Sequence, residues 1–163
     1  RIGPVPRMAK GLKIGPLLSE DVVLFPPAGL HKAAILEALV AAVCRRAHTA
    51  APERFLAKVV EREQGISTTL DTGLSLPHAR MDGIDGIMAG LAVLKTPAPD
   101  PSSADLTIRV VFLFFSPNTP AAFPQHLQLL RGVSSLFQPA LIDRLTAAAG
   151  PADALALVRA LES

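Results

Sequence analysis

Residues 106–115 read Leu-Thr-Ile-Arg-Val-Val-Phe-Leu-Phe-Phe. The run is rich in β-branched and aromatic residues and almost wholly apolar towards its end, so it predicts a central strand covered on both faces. A strand of this kind needs helices packed above and below the sheet that holds it. The neighbouring segments supply them. Ile35, Leu36, Leu39, Val40 and Val43 recur at helical spacing and predict a helix over about Lys32 to Arg46. Pro52-Glu53 opens a second helix, with Phe55, Leu56, Val59 and Val60 on its buried face and Gly65 as its stop. After residue 115, Ser116-Pro117-Asn118-Thr119-Pro120 ends the strand. Helices are predicted at about Pro124–Leu136, Pro139–Ala148 and Pro151–Leu161, each with a proline near its start.

Between the two sets of helices the pattern is extended. Val22 to Phe25 is a short extended piece stopped by Pro26-Pro27-Ala28-Gly29. Over 67–76, Thr68, Leu70, Leu74 and Leu76 alternate around Asp71-Thr72-Gly73, which predicts strand, turn and strand, the only hairpin-length connection expected. Met81–Gly86 is a turn-rich link, Ile87–Lys95 an apolar strand, and Thr96–Ser103, with Pro97, Pro99 and Pro101, a loop. The fold class is therefore α/β, a single mixed sheet of about five strands flanked by helices on both faces.

Charge marks a boundary. Arg1, Arg7, Lys10 and Lys13 precede the first acid, Glu20, so the net charge of +2 hides an excess of acid over base in the remainder. Residues 1–16 also hold Gly3, Pro4, Pro6, Gly11, Gly15 and Pro16 and read as a flexible basic arm, or a segment foreign to the domain, before a domain at 17–163. The small net charge and the absence of Trp and Tyr disfavour nucleic-acid binding. One Cys excludes a disulfide framework and a multi-Cys zinc site, and a cytoplasmic, reducing location follows as the expectation. No apolar run approaches the roughly 18 residues of a membrane span. The first 20 residues hold no signal-type apolar core.

Four histidines carry the candidate chemistry. His31 follows turn residues and His48 sits beside Arg45 and Arg46 at a helix end; both read as structural. Cys44 reads as buried. His78 lies in Leu74-Ser75-Leu76-Pro77-His78-Ala79-Arg80. Pro77 cannot donate to a ladder, so the strand is expected to stop there and hold the ring at the lip of the sheet, with a cation two residues on. From the residues alone it is either a site residue or a ring satisfying a turn carbonyl. His126 falls in the first turn of the helix opened by Pro124, where free backbone N–H groups favour an anion. Two histidines, an arginine and a helix N-terminus would together hold a phosphoryl group, if the fold closes the separation of 48 positions from His78 to His126. The chain has no Gly-rich phosphate loop, no Gly-x-Ser-x-Gly elbow and no metal-ligand spacing.

Three stretches together resemble a known family. Glu61-Arg62-Glu63, then Gly73-Leu74-Ser75-Leu76-Pro77-His78-Ala79-Arg80, then His126-Leu127 through Leu130, are similar to enzyme IIA of the bacterial phosphoenolpyruvate-dependent phosphotransferase system, of the fructose/mannitol/nitrogen-regulatory type. The resemblance spans about 17–161. It implies that His78 is the phospho-accepting histidine, His126 the second histidine near the phosphoryl group, and Arg62 an arginine pointing into the same pocket. It implies a phosphotransferase that takes its phosphoryl group from an HPr-like phosphocarrier and passes it to a IIB domain or keeps it as a regulatory mark. No cofactor, metal, nucleic acid or membrane insertion is implied. With no IIB or membrane segment in the chain, the nitrogen-regulatory role is preferred. The alternatives are a regulatory adaptor that binds protein targets and a sugar-specific IIA component of a fructose/mannitol transporter. One departure from the family is the Pro-rich segment Thr96–Asp105, which lacks the usual Asp-Phe-x-x-x-Asp-Gly pattern.

Overall fold

A computed structural model describes residues 12–65 and 67–162. Its elements are β1 (Val23–Leu24), α1 (Lys32–Arg46), α2 (Pro52–Gly65), β2 (Leu74–Ser75), β3 (His78–Met81), β4 (Met88–Asp100), β5 (Ser103–Pro117), α3 (Phe123–Leu136), α4 (Pro139–Thr146) and α5 (Pro151–Glu162). The strands form one mixed sheet in the order β1-β4-β5, with β2 and β3 both on the far side of β5. β4 and β5 are antiparallel, and the other pairs are parallel. Among the described residues no helix is long and apolar enough to cross a membrane.

The expected central strand is β5, and residues 110–117 are buried without a break. Alternation along it divides the core into two layers. On one face Phe115 meets Phe55 of α2 edge-on at 5.1 Å. On the same face α1 lies so close to Gly90 that a Cβ there would stand 2.7 Å from Val43 Cγ2. On the other face Phe112 packs on Phe137 at 5.8 Å and Phe114 meets the ring of His126 at 5.3 Å. Helices therefore cover both faces.

Two expectations change. Residues 96–100, read as a loop, belong to β4, and the long hairpin is β4–β5, closed by Pro101-Ser102. The prolines are tolerated because β1 pairs only with Leu91 and Ala92, leaving that edge of β4 free beyond them. A bulge also displaces the register, with Val93 opposite Val110 but Ala98 opposite Ile108. The strand–turn–strand over 67–76 is reduced to a single bridge, Thr69 to Ser75, around a turn at Gly73. Gly73 has φ +97°, and a Cβ there would lie 2.9 Å from Arg109, so the turn requires glycine.

The arm expected over 1–16 lies outside the described residues for 1–11. Residues 13–15 are tied to α5: the backbone N–H groups of Ile14 and Gly15 donate to the Glu162 carboxylate at 2.7 and 2.6 Å, and Lys13 Nζ donates to the Glu162 carbonyl. His31 and His48 are exposed and Cys44 is buried.

Candidate active site

Pro77 interrupts a strand without ending it. Leu74 stands opposite Val110 and His78 opposite Phe114, the same offset along β5, so β2 and β3 lie on one line broken at Leu76–Pro77. His78 therefore opens β3, where the sequence reading has it just past a strand end. The break leaves the Leu76 carbonyl outside the ladder, and His78 Nδ1 lies 2.7 Å from it. A carbonyl only accepts, so the ring proton sits on Nδ1 and Nε2 keeps its lone pair. The ring stacks on Phe114 at 5.3 Å and 12°. Burial, opposed by the bond to Leu76, lowers the His78 pKa and favours the neutral imidazole.

His126 reaches the same place from α3. A short 3₁₀ turn, Pro120–Ala122, precedes that helix, and the Thr119 hydroxyl caps it by accepting from the Ala122 N–H. The first turn of α3 then sets His126 against the sheet, its Nδ1 bonded to Ser116 Oγ at the end of β5. The two imidazoles are 5.5 Å apart, centre to centre. The exposed Phe123 stacks beside His126 at 13°. Burial first, then coulombic coupling to His78 and the positive charges of Arg80 and Arg62, push the His126 pKa down to about 4.

Arg62, on α2, is exposed and makes no hydrogen bond or ion pair among the described residues. It reaches the sheet edge, where with Lys58, Glu61, Ala79, Arg80 and Asn118 it lines a cleft of about 280 Å³. The structure thus brings His78 and His126 together and sets Arg62 with Arg80 along the adjoining cleft. Its neighbour Glu63 turns away, pairing with Lys32 of α1 at 2.9 Å.

Two residues that sequence reasoning did not single out, Ser116 and Phe123, complete the arrangement together with Arg80, the cation expected two residues past His78. Arg80 shares the face of His78, Ser116 holds His126, and Phe123 forms an apolar rim. Ser116 follows from the register, because a period of two from His78 reaches Arg80 and β5 sets Ser116 opposite it. Chemically, the site offers a neutral nucleophilic nitrogen, a second imidazole, two guanidinium groups and a helix N-terminus on an open, apolar-rimmed surface. That set suits a phosphoryl dianion.

The chain is similar to several known proteins. The nitrogen regulatory protein of Pseudomonas aeruginosa is 26% identical over 121 residues, covering 74% of this chain and 77% of that protein. The crystal structure of nitrogen regulatory protein IIA-Ntr from Neisseria meningitidis superposes with a TM-score of 0.75 at 18% identity, covering 88% of this chain and 97% of that one. Enzyme IIA-mannitol of Escherichia coli, determined in complex with phosphorylated enzyme IIB-mannitol, superposes with a TM-score of 0.69 at 14% identity, covering 88% and 97%. The family model for the phosphoenolpyruvate-dependent sugar phosphotransferase system, EIIA 2, matches residues 16–160. The chain belongs to that family.

Proposed function

We propose that this protein is a phosphoryl-relay module in which His78 Nε2 is the acceptor. The observation that carries the reading is the bond from Nδ1–H of His78 to the Leu76 carbonyl, which leaves Nε2 unprotonated. The Nε2 lone pair attacks the phosphorus of a phosphohistidine on an HPr-like carrier. The carrier's P–N bond breaks, its electron pair returns to the carrier imidazole, and a new P–N bond forms at Nε2. His78 keeps its Nδ1 proton, and the positive charge gained by the substituted ring is shared with the Leu76 carbonyl. Such transfer depends mainly on positioning and electrostatics.

His126 accepts a hydrogen bond from the Ser116 hydroxyl at Nδ1, carries its proton on Nε2, and donates a hydrogen bond from that N–H to a phosphoryl oxygen. Arg62 offsets charge from the open side. The exposed Phe123 beside the site suits docking of a protein donor and a protein acceptor. The relatives point to the two downstream roles. The nitrogen regulatory proteins favour a regulatory mark, and the IIA-mannitol complex favours a IIB acceptor. We prefer the regulatory role, in the cytoplasm.

The test is incubation with phosphorylated carrier followed by intact-mass measurement. The wild type gains one phosphoryl group, and His78→Ala gains none. A gain that survives His78→Ala overturns the assignment. Adding a IIB domain to the phosphorylated protein then separates the two downstream roles.

A further inference from the structure

Arg80 stands two residues beyond His78 on β3, so its side chain leaves the sheet on the same face. Its guanidinium is already held in place. Nη2 donates to the Thr119 carbonyl at 2.6 Å, and the group lies 4.8 Å over the ring of Phe123, which in turn stacks beside His126. These contacts use one nitrogen and one face. Arg80 Nε is buried, and its N–H has no hydrogen-bond partner. A buried donor left unpaired is costly, and native structures keep few of them. Arg80 also lines both clefts at this lip, one with Arg62 and Asn118 and one with Thr119 and Phe123.

We infer that Arg80 is a second phosphoryl-binding guanidinium, whose free Nε–H donates to an oxygen of the phosphoryl group carried by His78 Nε2. The inference rests on the reading of His78 as the acceptor. It explains why an orphan donor is kept beside a nucleophilic ring: its partner arrives with the phosphoryl group. Thr119 and Phe123 fix the fork beforehand, so little side-chain freedom is lost when the oxygen is bound. Arg62 differs, being exposed and unanchored. The two arginines divide the work, Arg80 orienting the group from beside the ring and Arg62 offsetting charge from the open side.

The experiment follows the wild type, Arg80→Met and Arg80→Lys through phosphorylation by the carrier, with ³¹P NMR titration of the phosphoryl group and ¹H–¹⁵N NMR of the arginine Nε–H. In the wild type, phosphorylation shifts the Arg80 Nε–H signal and slows its exchange with water. In Arg80→Met the second ionisation of the phosphoryl group rises by about one pH unit or more as an adjacent opposite charge is lost. Acceptance slows about tenfold or more. Arg80→Lys recovers part of the ionisation shift and little of the rate, because an ammonium lacks the planar fork. An Arg80 whose only role is to hold Thr119 and Phe123 would leave its Nε–H signal unmoved in the wild type and the phosphoryl ionisation unchanged in Arg80→Met. That result overturns the inference while a mass gain on His78 leaves the relay reading standing. Wild-type protein that gains no phosphoryl group overturns both. Should Arg80→Met fail to fold, the wild-type Nε–H measurement decides alone.

Discussion

At the scale of single residues, the two imidazoles differ in what the fold asks of them. His78 has its proton fixed by a carbonyl, whereas His126 faces a hydroxyl that can give or take one. Burial, then coulombic coupling to His78 and the charges of Arg80 and Arg62, lower the His126 pKa from the ordinary 6.5 to about 4. The unfolded chain therefore binds a proton at this ring where the folded chain does not. The corresponding stability is fully present above pH 6.5 and is lost as the pH falls through about 4. The downward shift at His78 acts in the same direction. Titration of the His126 imidazole NMR signals checks this, with the ring staying neutral until the pH approaches about 4. Urea unfolding from pH 7 down to 4 shows a slope that His126→Gln flattens in part. A His126 midpoint near 6.5 would refute the account. On the proposed relay, phosphorylation of His78 would place a dianion beside the ring and raise that midpoint.

Elements are joined behind the site by charges that the mechanism does not use. Lys32 opens α1, Glu63 lies late in α2, and Asp100 ends β4, and all three are buried. Lys32 Nζ lies 2.9 Å from Glu63 and 3.5 Å from Asp100. Thr68 Oγ1 donates to Glu63, while Ser67 Oγ and the Ser102 N–H and hydroxyl donate to Asp100. Burial raises the Asp100 pKa, but the hydrogen bonds of Thr69, Ser102 and Ser67 outweigh it and hold the carboxyl well below the usual carboxylate range. Lys32→Met leaves two buried carboxylates without their cation and lowers unfolding stability by about 3–5 kcal/mol. Urea denaturation measures it, and a loss under about 1 kcal/mol would show the pairing to be dispensable. None of this network was visible in the sequence, since its members are brought together by tertiary contacts. The helices were visible: the stripe from Ile35 to Val43 and the prolines at 52, 139 and 151 mark elements close to those observed. The prolines misled where tertiary context decides their meaning. Pro97 and Pro99 read as loop because the sequence does not reveal that this edge of β4 is unpaired. Pro77 read as a strand end because only the shared register on β5 shows β2 and β3 to be one line. The His78–His126 pair was legible as two candidate residues, but their 5.5 Å separation is a property of β5, which carries Phe114 beneath both rings.

Across the whole molecule, the site and the chain's two described ends sit at opposite edges of the sheet. β3 and its histidine lie beyond β5, while β1, against which α5 packs, is the other edge strand. With neighbouring strands about 4.8 Å apart, this places α5 well outside contact range of the imidazoles. The Glu162 carboxylate at the end of α5 accepts from two successive backbone N–H groups, Ile14 and Gly15, so the start of the described chain is fastened to its last helix. A Cβ on Gly15 would meet Arg159 Cγ at 3.0 Å and Glu162 Oε1 at 3.1 Å, which shows how closely the two segments are packed. Glu162→Ala removes both charge-assisted bonds and is expected to cost about 2 kcal/mol. For a chain of this size that is a fall in Tm of about 4–8 °C, read by calorimetry. Glu162→Gln keeps an acceptor oxygen but loses the charge and falls between the two. Sites on opposite edges of the sheet are expected to act additively, so the phosphoryl acceptance proposed for His78 is expected to stay at the wild-type rate well below the lowered Tm. An unchanged Tm would show the fastening to be without weight. A slowed acceptance at low temperature would show instead that the far edge of the sheet governs the geometry of the histidine pair.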